Sequence, residues 1–477
     1  MLRTHMKDLF SELVAYVSAL GLTFGSPAYA PAPPQEPQAR PAAALARLGE
    51  DGRRPLSYLE AQRTIPVEPG AALRFPRGFM WGVAVSGTQV EGNDHHSSWA
   101  AWERMGRTRE PKGLATASWE RYEEDLALAA RTGATAFRMS VEWSRVEPRP
   151  GEFDHAALAR YASVVATARR LGIEPVVTLY HFAYPAWLEG GWENVAAPAA
   201  FARYVETVAA AFRGKVRYWI TINEPNLEPG LGYLVGVFPP GRMSPLAFAR
   251  ATESILRAHV AAYDELHRAD PGALVSTNVF RMVRRQGQET VTWLPAMEPG
   301  EVMMDRLAAW VDAPGARPRR TLDYVAFDYY YAFTLPEFFQ LADYWRWPVH
   351  PPGIYDAARY YHDRYRLPVL VAENGMAEQR RQVRPDGWTR EAFLVNHVYE
   401  LQRAAAEGVP VLGYFYWSLM DNYEWGSYTP TFGLYRVDRD DPLLRRKPTQ
   451  AADVYRRMAR DNGIPGDLLD RYLYRRS

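Results

Sequence analysis

Short runs of β-branched and aromatic residues alternate with longer amphipathic segments along most of this chain, from about Phe75 onward. In the longer segments apolar residues recur every three or four positions, as in residues 155–171, and Gly172 then supplies a helix stop. Strands that alternate with helices build parallel β-α units, and eight such units close a barrel. The pattern therefore predicts an α/β fold, a single (β/α)8 TIM barrel. Its strands are expected at residues 80–85, 136–141, 175–180, 218–222, 274–278, 324–329, 369–372 and 411–416.

The two ends of the chain differ from this repeating pattern. After the eighth run, Thr449 is expected to cap a last helix that reaches Arg460, with Gly463 just past its end. At the other end, residues 1–75 are predicted to form an extension that includes a Pro- and Ala-rich linker. Residues 76–477 are predicted to form the barrel domain.

Two interpretations of residues 1–30 stay open. An apolar run at 13–24 follows basic residues and precedes Ala28-Tyr29-Ala30, which resembles a secretory signal. Asp8 and Glu12 favour instead a short amphipathic helix over residues 6–20 that docks on the barrel, and with it a cytoplasmic location over an exported one. A bilayer span needs roughly 17 to 25 apolar residues. The run is shorter, so no transmembrane segment is predicted.

Composition narrows the function classes. The 56 basic and 55 acidic residues nearly cancel, which argues against nucleic acid as a partner and favours a neutral substrate. The absence of cysteine excludes disulfides, thiolate metal sites and a cysteine nucleophile. Asp94-His95-His96 lacks a third ligand at metal spacing, and no Gly-rich phosphate loop follows a strand. No metal and no cofactor are therefore predicted, and the sequence carries no signal for an oligomeric state.

Two glutamates carry the strongest chemical signal. Glu224 and Glu373 each follow directly on a predicted strand, so both are expected at the C-terminal face of the barrel, where barrel enzymes keep their chemistry. Hydrolysis of a glycosidic bond needs one carboxyl group to protonate the leaving oxygen and a second to attack or stabilise the sugar. The alternative for a lone glutamate at a strand end is a salt bridge or a helix cap.

An ordered series of motifs surrounds these glutamates, and together they resemble family 1 glycoside hydrolases, the β-glucosidase family. The resemblance covers residues 75–461. Any single tetrad would be a weak signal, but each motif stands after the expected strand. The motifs include Trp81-Gly82, Gln89-Val90-Glu91-Gly92, Phe137-Arg138-Met139-Ser140, Trp143-Ser144-Arg145, Thr178-Leu179-Tyr180-His181, Asn223-Glu224-Pro225, Tyr329-Tyr330, Glu373-Asn374-Gly375 and Trp417 to Trp425.

The resemblance implies unequal roles for the two glutamates. Glu224 corresponds to the family's acid/base and Glu373 to its nucleophile. Arg138 and Tyr330 correspond to the partners of the nucleophile and would favour its ionised form, while Glu224 would stay protonated. A structural ion pair for Arg138 and a core position for Tyr330 remain as alternatives.

The same resemblance implies a sugar-binding set of six residues. Amide, imidazole and carboxylate groups can hold the hydroxyls of a pyranose, while indoles cover its apolar face. Trp417 would form the platform under the sugar, and its peptide bond to Ser418 would be cis. Glu424 would disfavour a phosphorylated sugar. His181 has the alternative of a buried core histidine. The set is Gln89, His181, Asn223, Trp417, Glu424 and Trp425.

This chain also departs from the family. Asp328 stands where an Asn is usual, and a third carboxylate there could raise the pKa values of the site. Phe182 replaces the usual Trp after His181, and residues 281–321 lack the usual signatures of the aglycone side.

The residues and the resemblance together predict a function. The chain is expected to be a retaining β-glycosidase of unphosphorylated β-D-glycosides, with small-molecule or oligosaccharide substrates: β-glucosides first, then β-galactosides and β-fucosides. The alternatives are a transglycosidase that uses the same covalent intermediate and a non-catalytic sugar-binding protein on the same barrel. A glycoside product formed with an added alcohol would distinguish a transglycosidase from a hydrolase. Sugar binding without turnover of aryl glycosides would indicate the non-catalytic protein.

Overall fold

A computed structural model describes residues 71–286, 289–291, 299–333, 343–380 and 382–473. Most of the N-terminal extension, residues 1–70, lies outside the described residues. The predictions of a signal segment or docked helix, of a linker and of a cellular location fall there. Within the described ranges, every helix is too short or too polar to serve as a membrane span.

Eight parallel strands close into a barrel, as the hydrophobic pattern predicts. Each strand joins its neighbour in chain order, and the last pairs with the first. Nearly all strand residues are buried, as expected for strands covered on both faces. All eight predicted runs are confirmed within two residues at each end. The strands are β1 (Met80–Ala84), β2 (Ala136–Ser140), β3 (Glu174–Thr178), β4 (Tyr218–Asn223), β5 (Leu274–Phe280), β6 (Val325–Asp328), β7 (Val369–Asn374) and β8 (Val411–Trp417).

A ring of helices covers the barrel. The helix over residues 155–171 is confirmed: Asp154 caps its start by accepting from the amides of Ala156 and Ala157, and Gly172 follows its end at a φ of 73°. The ring consists of α1 (Ser118–Arg131), α2 (His155–Arg170), α3 (Ala197–Phe212), α4 (Pro245–Ala269), α5 (Pro299–Ala308), α6 (Pro352–Tyr365), α7 (Arg390–Ala406) and α8 (Gln450–Arg460).

The prediction for the C-terminal end is partly wrong. Helix α8 ends at Arg460 as expected, but the Thr449 hydroxyl donates to the carbonyl of Leu434 instead of capping the helix. Gly463 belongs to a short strand, Gly463–Ile464, that pairs antiparallel with Leu73–Arg74, and a further helix, Gly466–Tyr472, follows. The helix thus stops where expected, but Gly463 takes part in a strand with a distant backbone segment and not in a helix cap.

Shorter elements complete the described fold. They include the helical turns Gly87–Val90, Ser98–Arg104, Trp143–Val146, Gly191–Glu193, Gly230–Leu234 and Tyr344–Arg346. Short strands lie at Val283–Gln286, Glu289–Val291, Ala332–Phe333, Glu378–Gln379, Pro430–Thr431, Tyr435–Val437 and Arg446–Pro448.

Irregular strand ends shape the C-terminal face of the barrel. The register between β4 and β5 shifts between Ile220 and Asn223, and β7 shifts against both neighbours after Val371. Such irregularities re-aim side chains next to functional sites. Here they lie where Glu224 and Glu373 leave their strands.

Candidate functional site

Glu224 and Glu373 meet at the C-terminal face of the barrel. Glu224 directly follows the last residue of β4, and Glu373 is the second-last residue of β7. Both are nearly inaccessible to solvent, with exposed fractions of 5% and 4%. One carboxyl oxygen from each lies within 4.8 Å of the other and of an oxygen of Asp328, the last residue of β6. The predicted pair therefore shares one site, together with a third carboxyl.

Glu373 is held by two charged or polar partners. Arg138 Nη1 donates to Oε1 at 2.5 Å, and the hydroxyl of Tyr330 donates to Oε2 at 2.5 Å. Burial raises the pKa of Glu373, while Arg138 and Tyr330 oppose this rise by stabilising the carboxylate. The sequence-based prediction that these two residues contact Glu373 agrees with this geometry.

Arg138 is fixed by further contacts on β3 and β4. Its Nε donates to Thr178 Oγ1 at 3.1 Å, and its Nη2 donates to Asn223 Oδ1 at 2.6 Å. The planar guanidinium therefore donates hydrogen bonds to side chains on three barrel strands, β3, β4 and β7.

Glu224 has the opposite electrostatic environment. Burial raises its pKa well above the ordinary value, and the neighbouring carboxyls of Asp328 and Glu373 add to the rise. Its backbone lies in the left-handed region, at a φ of 41°. Such a conformation is rare for a residue with a side chain and is often found at functional sites. Glu224 thus keeps its proton to higher pH than an ordinary glutamate.

Asn278 on β5 completes the polar network and was missed by the sequence analysis. Its Nδ2 donates to Asn223 Oδ1 at 2.8 Å and also to Asp328 Oδ2, and its Oδ1 accepts from Arg138 at 3.5 Å. A polar residue at the end of a predicted barrel strand was the available signal.

Gln89 and Glu424 form a second polar group of the site. Gln89 Nε2 donates to Glu424 Oε2 at 2.9 Å and to Asn422 Oδ1 at 3.2 Å. Burial, together with the charge of Glu373, raises the pKa of Glu424 to about 8. Asn422 is a further residue that the sequence analysis did not single out.

Three ring systems stack beside these groups. The imidazole of His181 lies parallel to the indoles of Trp417 and Trp425, at centroid distances of 5.7 Å and 5.8 Å. Burial and the nearby Arg138 lower the pKa of His181 well below its ordinary value. The imidazole is therefore neutral, and its approach to Glu373 at 3.9 Å is not an ion pair.

The Trp417-Ser418 peptide bond is cis, as the resemblance implied. The backbone at Trp417 also explains why the neighbouring motif has a glycine at position 375. A Cβ atom at Gly375 would lie 1.8 Å from the carbonyl oxygen of Trp417, so any other residue would displace the backbone.

Phe182, the departure after His181, belongs to an apolar cluster. Its ring lies 5.1 Å from Trp425 and 5.8 Å from Phe238, and Trp99 Nε1 donates to its carbonyl at 2.9 Å. This wall of the site therefore presents hydrocarbon in place of an indole N–H donor.

Outside the carboxyl cluster, three buried polar atoms of the site have no hydrogen-bond partner among the described residues: Gln89 Oε1, His181 Nδ1 and Asn223 Nδ2; within the cluster, Asp328 Oδ1 also has none. Buried polar groups are normally paired, because an unmade hydrogen bond costs free energy. The three atoms supply an acceptor and donor set for a polar ligand.

The carboxyl cluster by itself carries no argument for a metal ion. Glu224, Asp328 and Glu373 are the set of acidic groups that could share an ion within the part of the chain that the structure describes. Arg138 already supplies a positive charge to this cluster, and the high pKa of Glu224 removes one negative charge. Protein groups thus offset two of the three potential negative charges of the cluster.

The chain is similar to known glycosidases over most of its length. The sequence pattern of glycosyl hydrolase family 1 matches residues 71–298 and 337–464. A β-galactosidase of Sulfolobus acidocaldarius is 29% identical, over 83% of this chain and 97% of that protein. A coniferin β-glucosidase of Pinus contorta is 30% identical, over 76% of this chain and 88% of that protein.

Solved structures show the same barrel. A β-glycosidase from Pyrococcus horikoshii superposes with a TM-score of 0.72 at 30% identity, covering 85% of this chain and 99% of that one. A β-glucosidase from Thermotoga maritima in complex with glucoimidazole superposes with a TM-score of 0.73 at 26% identity, covering 82% and 100%. The chain belongs to glycosyl hydrolase family 1 and is a glycosidase.

Proposed function

We propose that this glycosidase is a retaining enzyme that hydrolyses unphosphorylated β-D-glycosides through a covalent glycosyl-enzyme intermediate. One observation carries the proposal: Glu373, held by Arg138 and Tyr330, has a carboxyl oxygen within 4.8 Å of one on the protonated Glu224. Retaining enzymes keep their carboxyls roughly 5–5.5 Å apart, whereas inverting enzymes need roughly 6.5–9.5 Å to admit a water. The short separation favours the retaining mechanism.

In the first half-reaction Glu373 acts as the nucleophile. Its carboxylate attacks the anomeric carbon while Glu224 gives its proton to the departing glycosidic oxygen, so the bond to the aglycone breaks as the ester forms. Arg138 and Tyr330 keep Glu373 ionised and oriented for this attack.

In the second half-reaction Glu224 changes from acid to base. Once Glu373 is esterified its charge is gone, and the pKa of Glu224 falls because one repulsion is removed. Glu224 then takes a proton from water, which attacks the anomeric carbon from the face that the aglycone left. Glu373 departs as a carboxylate and the anomeric configuration is retained.

The polar atoms without partners support a sugar as the ligand. Gln89 Oε1, His181 Nδ1 and Asn223 Nδ2 are buried among stacked aromatic rings, which suits the alternating hydroxyls and the apolar face of a pyranose. Asn223 Oδ1 accepts from both Arg138 and Asn278, which turns its free amide nitrogen to the ligand. We assign this nitrogen to the sugar 2-hydroxyl.

Trp417 and Trp425 would cover the sugar ring, and Gln89 with Glu424 would hold its far hydroxyls. The burial that raises the pKa of Glu424 also disfavours the negative charge of a phosphorylated sugar at the same place. We place β-glucosides first among the substrates, followed by β-galactosides and β-fucosides, in keeping with the named activities of the relatives.

A panel of aryl β-D-glycosides that differ only in the sugar tests this proposal. Hydrolysis of the β-glucoside with retained configuration, followed by proton NMR, is the expected result. Glu373→Ala should abolish turnover, and azide should restore product as the α-glycosyl azide. Unchanged hydrolysis by Glu373→Ala, or a product of inverted configuration from the unmodified enzyme, contradicts the assignment.

A further inference from the structure

The third carboxyl of the site, Asp328, lies at a fixed position between the two glutamates. It ends β6, is fully buried, and pairs in register with Glu373 on β7 and Phe280 on β5. One of its carboxyl oxygens lies within 4.8 Å of one on Glu224; Oδ2 accepts from Asn278 Nδ2, and Oδ1 has no hydrogen-bond partner among the described residues. Asp328 therefore lies beside the acid/base glutamate with an oxygen that can accept a proton from it.

The charged and titratable groups around Asp328 fix where a proton must lie. They are Glu224, Glu373, Arg138 and Tyr330. The one cation, Arg138, makes its direct ion pair with Glu373 at 2.5 Å. Burial raises the pKa of both Glu224 and Asp328, and two buried carboxyl groups this close repel strongly when both are ionised. In the resting enzyme Glu224 and Asp328 therefore share a proton.

We propose that Asp328 is a positioning residue that acts through Glu224: its carboxylate accepts a hydrogen bond from the Glu224 carboxyl and keeps the acid/base in its acid form at neutral and mildly alkaline pH. This inference rests on the proposed retaining function. The pKa of Glu224 is raised by Asp328 through both charge and the hydrogen bond, in agreement with the contact.

The proton that Glu224 and Asp328 share is given up in the first half-reaction and recovered in the second. When Glu224 protonates the departing oxygen, it becomes a carboxylate beside the carboxylate of Asp328, while the charge of Glu373 is lost to the ester. The repulsion between the two carboxylates makes Glu224 a stronger base for the attacking water. The proton that water gives up restores the shared hydrogen bond, and Glu373 leaves as a carboxylate.

Asp328→Asn tests the inference because it removes the charge at nearly constant volume. Without the charge, Glu224 ionises at lower pH, so the basic limb of kcat/KM for an aryl β-glucoside should move to lower pH by roughly 1 to 3 units. Asp328→Ala serves as a second variant that lacks both charge and shape. Both variants should shift the limb alike, even where their plateau activities differ. A loss of activity at every pH with an unmoved basic limb indicates a packing role and overturns the inference.

An infrared titration gives a readout that needs no turnover. At pH 7 to 8 the difference spectrum between the unmodified protein and Asp328→Asn should show the loss of one protonated-carboxyl C=O component, and Glu224→Gln should lose the same component, while buried glutamates such as Glu228 and Glu424 keep their own absorption. A difference spectrum of Asp328→Asn without this loss overturns the inference. If no glycoside is hydrolysed, the proposed function fails, and the infrared result still reports on the pair.

Discussion

Removing the hydroxyl of Tyr330 isolates one of the two interactions that hold Glu373. In Tyr330→Phe the 2.5 Å hydrogen bond to Glu373 Oε2 is lost, while Arg138 Nη1 still reaches Oε1. The ring itself stays and keeps its apolar neighbours, including Phe280 at a centroid distance of 6.1 Å. The substitution therefore changes the electrostatics of Glu373 more than its packing.

The size of the effect follows from the charge on the acceptor. A hydrogen bond to a charged group contributes about 1.5–3 kcal/mol, and about 1.4 kcal/mol corresponds to one pKa unit. Tyr330 stabilises the ionised form of Glu373, so its removal raises the pKa of Glu373 by about 1–2 units. Since the nucleophile must be ionised, the acid limb of kcat/KM moves to higher pH by the same amount.

The assay is the pH dependence of kcat/KM for an aryl β-glucoside, with Tyr329→Phe as a matched control. Tyr329 is the preceding residue, and its buried hydroxyl donates to the carbonyl of His350 at 2.6 Å, away from Glu373. The control should lower the melting temperature without moving the acid limb. An acid limb that stays in place in Tyr330→Phe, or moves equally in both variants, refutes the assigned role of the phenol.

Two other substitutions test the sugar contact and the electrostatic cost of burial. Asn223→Ala should lower kcat/KM for an aryl β-glucoside by roughly 10- to 150-fold, because one hydrogen bond to a developing charge is lost. The kcat/KM for the 2-deoxy glycoside should fall far less, because that substrate lacks the hydroxyl. Equal losses on both substrates contradict the assignment to the 2-hydroxyl. Burial raises the pKa of Glu228 to about 8 from an ordinary 4.5, so the folded state binds this proton more tightly than the unfolded state does. The free energy of unfolding therefore falls as the pH rises from 4.5 to about 8, by at most about 5 kcal/mol. Glu228→Gln should remove this fall: calorimetric melting temperatures should be similar near pH 5 and higher in the variant near pH 8, and a constant difference contradicts the reasoning.

The barrel and the main site residues could be predicted because strand ends converge in this fold. Once β4 and β7 are parallel strands of one closed barrel, residues at their C-terminal ends must lie at the same face. Glu224 and Glu373 therefore meet without any knowledge of side-chain geometry. The contact of Arg138 with Glu373 came from the resemblance to a family, since spacing along a chain does not show which strands lie opposite each other.

Other parts of the site lie beyond the sequence pattern. Asn278 ends a predicted strand, but its part in the site follows from its contacts with Asn223 and Asp328 on neighbouring strands. The role of Thr449 was misjudged for a similar reason, because a carbonyl from a distant segment captures its hydroxyl. Local signals describe what a residue can do, and tertiary contacts decide which partner it takes.

Arg138 connects the separate parts of the site, and this limits what its own substitution can reveal. One guanidinium bonds Glu373, orients the amide of Asn223 and anchors on Thr178. Replacing it would remove the charge on the nucleophile, release the amide that we assign to the 2-hydroxyl, and leave the buried carboxyls without their cation. Losses from such coupled groups do not add, so an inactive Arg138 variant would fit every mechanism considered for this site. Substitutions at Tyr330, Asn223 and Asp328 are read out separately, by the acid limb, by the contribution of the 2-hydroxyl and by the basic limb, and these readouts can tell the parts of the site apart.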